Sequence, residues 1–85
     1  MMYRKAPVAQ TELIDGNAVV MNSATMKCFL LNDMAAVLWD ALDNFPRRAD
    51  LLTLLREGRV ENPELALDSL TDQLLELGLV ERLEI

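Results

Sequence analysis

Apolar and polar positions keep one rhythm up to about residue 31 and another beyond it. "VAQTELI" (8–14) alternates in part and ends at "DGN" (15–17), where Asp-Gly favours a tight hairpin because Gly accepts a positive φ. "AVVMN" (18–22) reads as the returning strand, "SAT" (23–25) as a second turn and "MKCFLL" (26–31) as a third strand. These segments predict a three-stranded antiparallel meander. In the third strand Phe29 and Leu31 point one way, and Met26, Cys28 and Leu30 the other, so both faces are largely apolar. Residues 1–7 are expected to be a flexible N-terminal arm before one domain spanning 8–85.

Beyond Asn32 the large apolar residues recur at helical spacing. Ala35, Leu38, Trp39 and Leu42 form one stripe, with Asn32 placed to cap the helix and Asp33 at the favourable end of its dipole. "DNFP" (43–46) breaks that helix. A second helix is expected over 48–57, with Leu51, Leu52, Leu54 and Leu55, stopping at Gly58. Asn62 is expected to cap a third, which opens on Pro63, where a missing amide costs little. Leu67, Leu70, Leu74 and Leu77 make its inner stripe, and Gly78 ends it. "LVERLEI" (79–85) reads as a short terminal strand. The fold class is therefore α+β and winged-helix-like: a three-stranded meander, three helices and a short C-terminal strand.

Composition removes several classes of function. At 85 residues and 52% hydrophobic, with three Pro and three Gly, the chain is one globular domain rather than a disordered tail. No apolar run approaches the ~18 residues of a membrane span. The N-terminus has positive charge without an apolar core behind it, which argues against a signal peptide. A single Cys cannot form an internal disulfide and fits a reducing cytoplasm. The net charge of −6 opposes binding to a phosphate backbone, since that affinity rests on Lys and Arg.

Catalytic chemistry has little to stand on. With no His, the commonest general base and a common metal ligand are missing. Cys28 has no His to activate it and is expected to be a small buried apolar residue. Neither the ligand spacing of zinc and calcium sites nor a glycine-rich phosphate loop is present. Asp40, Asp43, Asp68, Asp72 and Glu76 are expected on solvent faces, and Trp39 as a core anchor. No catalytic, metal-binding or cofactor-binding residue is assigned.

The strand ending in "LLN" (30–32), the "AAVLW" (35–39) that opens the first helix, and "SLTDQLLELGLVE" (69–81) occur in an informative order. In that order, over roughly residues 8 to 81, the sequence resembles the PqqD-like proteins, also called RiPP recognition elements. The resemblance implies a free-standing, noncatalytic domain that binds the leader segment of a ribosomally made precursor peptide. It also implies presentation of that peptide to a modifying enzyme or leader peptidase. In such domains the leader adds as a strand beside the third strand, with side chains entering a groove against the third helix.

Carried onto this chain, the implied peptide-binding residues are Met26, Lys27, Cys28, Phe29, Leu30 and Leu31 of the strand, with Asp68, Thr71, Asp72 and Leu75 of the helix. An apolar edge strand is an aggregation hazard unless something covers it, and a partner strand would do so through main-chain bonds. Two other readings stay open. A winged-helix DNA-binding regulator would need a basic third helix, yet "NPELALDSLTDQLLELG" has four acidic side chains and no Lys or Arg. A structural or dimerising subunit without a peptide ligand is the other, and free strand edges leave a homodimer open. Neither nucleic acid nor membrane is an expected partner.

Overall fold

A computed structural model describes residues 1–44 and 46–84. The "DNFP" break and the terminal "LVERLEI" each contain one residue, 45 and 85, outside that description. The elements run β1 (Met2–Lys5), β2 (Ala9–Ile14), β3 (Asn17–Asn22), β4 (Cys28–Leu31), α1 (Asp33–Ala41), α2 (Arg48–Glu57), α3 (Pro63–Glu76) and β5 (Val80–Leu83). Strands β2, β3 and β4 form an antiparallel sheet in that order, so β2 and β4 are its edges. They are the three strands of the meander expected from the sequence. The Asp15-Gly16 hairpin turn has φ values of 52° and 80°, both in the left-handed region that Asp-Gly tolerates.

The N-terminal arm needs correction. Met2–Lys5 is a strand, paired antiparallel with β5 from Met2↔Leu83 to Lys5↔Val80. Tyr3 is only 3% exposed, and its N–H donates to the Pro46 carbonyl at 2.8 Å. Nothing local foretells this, because the partner of a four-residue strand lies at the opposite end of the chain. Arg4 and Glu81, opposite one another, close the pair with a 2.7 Å ion contact.

One core lies between the sheet and the helices. It contains Tyr3, Val20, Leu31, Ala35, Leu38, Trp39, Leu51, Leu52, Leu55, Leu67, Leu70, Leu74, Leu79 and Val80. The expected stripe of α1 is buried throughout. The Trp39 indole N–H donates to Thr11 Oγ1 at 2.8 Å, which satisfies the one polar atom of a buried ring.

Helix ends follow the expected residues only in part. Asn32 Oδ1 accepts from the Ala35 amide at 2.8 Å, as a capping Asn does. Asn62 does not cap through its side chain; it adopts φ 48°, and its carbonyl instead accepts from Ala66. Gly78, at φ 71°, closes α3: Leu79 N–H bonds Leu74 O at 2.9 Å and Gly78 N–H bonds Leu75 O at 3.0 Å, the pattern of a Schellman motif. α2 ends in the same pattern, with Val60 bonded to Leu55 and Arg59 to Arg56. There Arg59, not Gly58, holds the left-handed position, at φ 56°.

Candidate functional site: the groove between β4 and α3

β4 is shorter than the expected third strand. Met26 turns into the left-handed region at φ 64°, its amide bonded to Asn22 O at 2.7 Å, so the strand proper begins at Cys28. The register Met21↔Cys28, Val20↔Phe29, Val19↔Leu30 and Ala18↔Leu31 extends from the bond between Asn22 N–H and Lys27 O. Antiparallel pairs alternate between bonded and non-bonded. The bonds to β3 therefore fall on Phe29 and Leu31, while the N–H and C=O of Cys28 and Leu30 point out of the sheet at the free edge.

Beside that edge is a groove of about 230 Å³, lined by Phe29, Leu30, Asn32, Met34, Ala35, Ala66, Ser69, Leu70 and Gln73. β4 supplies one wall, α3 the other, and the first turn of α1 the residues between. No lining residue is charged. Asn32 and Gln73 offer amides and Ser69 a hydroxyl; the remainder is apolar. Leu30 is 63% exposed and Phe29 half-buried, so apolar surface at this edge stands uncovered.

The residues assigned from the sequence divide in two. On the strand side Met26, Lys27, Cys28 and Leu30 are exposed along the edge, Phe29 faces the groove and Leu31 is buried in the core. Cys28 corrects the expectation of a buried thiol: it lies on the outer, solvent-facing side of β4. On the helix side the structure places the assigned flank away from the groove. Asp68 pairs with Arg48 of α2 at 3.0 Å, and its hydrogen bonds are what raise the Arg48 pKa. Thr71 is buried, its hydroxyl donating to Leu67 O at 2.9 Å. Asp72 is exposed, and Leu75 packs half-buried at the margin of the core.

Ala66, Ser69, Leu70 and Gln73 take that place. A signal for them exists in the sequence. Glu64, Asp68, Asp72 and Glu76 recur every fourth residue and mark one exposed stripe. The other flank of the leucine stripe carries no charge.

Asn22 is the other residue that sequence reasoning missed. It is buried at 5% exposure. Its Oδ1 accepts from Ala24 N–H at 2.9 Å and Thr25 N–H at 3.2 Å, while Nδ2 donates to Leu77 O at 3.0 Å. One side chain thus ties the turn before β4 to the end of α3, and so ties the two walls of the groove together.

The family model for coenzyme PQQ synthesis protein D (PqqD) matches residues 17–80. The solved structure of lasso peptide synthetase B1 complexed with the leader peptide is similar in fold, with a TM-score of 0.81 at 24% sequence identity. It covers 96% of this chain and 100% of that one. No curated protein matches the chain in sequence.

Proposed function

The chain belongs to the coenzyme PQQ synthesis protein D (PqqD) family, and on that premise we propose that it is a noncatalytic adaptor. It binds the leader segment of a ribosomally made precursor peptide and presents it to the enzyme that modifies or trims the peptide. The observation that carries this reading is the free edge of β4 beside an uncharged groove. A leader strand laid along that edge pairs with the outward N–H and C=O groups of Cys28 and Leu30, and its alternate side chains enter the groove.

Magnitudes show why both parts are needed. Two residues offer at most four main-chain bonds, each worth a net ~0.5–1.5 kcal/mol. Burying one apolar side chain adds ~1.5–3 kcal/mol. Micromolar affinity takes about 8 kcal/mol after the entropic cost of association. Edge pairing alone falls short, and it reads no sequence. The groove supplies the remainder and the selectivity, and it favours an apolar anchor, because a charge placed there has no partner.

Duplex DNA does not suit this surface, since the exposed stripe of α3 is acidic. Among the described residues no helix is long and apolar enough to cross a membrane. The reading places the protein in the cytoplasm, where precursor peptides are made.

Titrating the full chain with the leader peptide of its pathway tests the proposal. Ser69→Glu puts a carboxylate into the groove from an exposed position. It should weaken leader binding at least about tenfold, near 1.4 kcal/mol, at an unchanged melting temperature. Amide exchange at Cys28 and Leu30 should slow when the leader binds. Full affinity in Ser69→Glu, with no protection of those two amides, would place binding on another surface.

A further inference from the structure

The other side of α1 holds a second groove, of about 480 Å³, that leader binding does not use. Its lining includes Asp33, Met34, Val37, Leu54, Glu57 and Val60. Leu54 and Glu57 also line a smaller adjoining hollow, of about 240 Å³, that adds Asp50 and Thr53. Val37, on α1, is 53% exposed although apolar. The surface is thus an apolar floor between α1 and α2, rimmed by three carboxylates.

None of Asp33, Asp50 and Glu57 joins an ion pair among the described residues. Arg56, the nearest cation in sequence to Glu57, instead lies 3.5 Å from Glu64 of α3. No Lys or Arg lines either part of the groove. Such a surface is complementary to an apolar side chain flanked by Lys or Arg. The leader groove, with no charge at all, asks for different chemistry, so the two grooves take different occupants. They nonetheless abut, because Met34 lines both. A protein seated on the second groove would lie against the leader site.

We propose that the α1–α2 groove docks a basic, apolar-anchored segment of the enzyme that processes the leader-bound precursor. This rests on the adaptor reading above and supplies the contact it needs: the leader occupies one side of α1 and the enzyme the other. The rim carboxylates select and steer the segment, and this contribution fades with salt. The apolar floor holds it.

The test uses the full chain, isotope-labelled, and a synthetic peptide with leucines at helical spacing between lysines; its counterpart has glutamates for the lysines. The lysine peptide should shift the resonances of Val37, Leu54 and Val60, leave Ser69 and Gln73 in place, and bind well above the glutamate peptide. Glu57→Lys and Val37→Arg, both exposed positions, should weaken it about tenfold, which is about 1.4 kcal/mol, without changing leader affinity. The modifying enzyme of the pathway should co-purify with the chain and with Ser69→Glu but not with Val37→Arg. Shifts spread over Glu12, Asp72 and Glu76, equal binding of both peptides, or enzyme retained by Val37→Arg would overturn this assignment. Failure of leader binding in the unsubstituted chain would instead overturn the adaptor reading.

Discussion

Replacing Asn22 by Ala removes a side chain that bonds both walls of the β4–α3 groove. Three of its contacts are within 3.2 Å, and the one to Gly78 O is longer, at 3.5 Å. At a net ~1 kcal/mol per bond, with the exposed Ala24 and Thr25 amides free to rehydrate, the loss is about 2–3 kcal/mol. For a domain of this size that lowers the melting temperature by roughly 10–20 °C. Gly78→Ala attacks the same contact from the other side. Its Cβ would lie 2.9 Å from Asn22 Nδ2, at a φ of 71°. In the native background it bears both the left-handed strain, ~1 kcal/mol, and the collision. In Asn22→Ala only the strain remains. Urea denaturation of the four proteins should show the double variant about 1 kcal/mol less destabilised than the sum of the singles. An Asn22→Ala loss below about 0.5 kcal/mol, within the range of ordinary surface substitutions, or strict additivity would refute the argument.

Arg59→Gly should stabilise by about 0.5–1 kcal/mol in the same assay, because relief of a left-handed side chain (~1–2 kcal/mol) exceeds the added chain entropy of Gly. Trp39→Ala should cost about 3–5 kcal/mol, since the ring is 2% exposed and its N–H is bonded to Thr11. Raising salt from about 50 to about 200 mM should weaken leader binding only slightly, whereas a loss of about a thousandfold would indicate phosphate-like electrostatics. Alkylation of Cys28, the single thiol and an exposed one, should slow when the leader occupies the edge; an unchanged rate at saturation would argue against pairing at β4.

Most of the architecture was legible because its determinants are local. The Asp15-Gly16 turn, the Asn32 cap and the Gly78 stop each depend on a few neighbouring residues, and the leucine spacing marks the buried stripes of all three helices. What failed depends on distant partners. Tyr3 belongs to a strand only because β5 returns to meet it. Asn62 carries a capping side chain but takes a left-handed backbone and makes no side-chain cap. The helix flank named from the sequence does not line the β4–α3 groove, because periodicity locates the buried stripe but not the element beside each margin. Leu75 looked like groove lining as the one large apolar residue on its side. Yet α3 lines the groove with small or uncharged polar residues beside Leu70, and Ala66, Ser69 and Gln73 carry no strong apolar signal, so they were passed over.

The sheet has a second open edge among the described residues, and comparing the two shows why the proposed leader strand is assigned to β4. In β2 the bond from Ser23 N–H to Val8 O sets the alternation, so Ala9, Thr11 and Leu13 present their backbones outward. That edge is longer than β4 and, among the described residues, equally free of a partner strand. Length alone would therefore favour β2 for strand addition. Its side chains oppose it: Gln10, Thr11 and Glu12 occupy the middle of the strand, and polar and charged residues are what discourage an edge from pairing indiscriminately. β4 instead has Phe29 and Leu30 beside an uncharged groove. An incoming strand gains similar main-chain bonds at either edge, and Leu13 and Ile14 expose apolar surface at one end of β2 too, but of the two edges only β4 lines the uncharged groove that can take a side chain. The difference, about 1.5–3 kcal/mol for one side chain, is a factor of roughly ten to a hundred in occupancy. On the proposed reading, a four-residue edge beside a groove is favoured over a six-residue edge whose middle is polar and charged. On that same reading, selectivity for a particular leader rests on Ser69, Leu70 and Gln73, which line the groove, rather than on the strand that receives it.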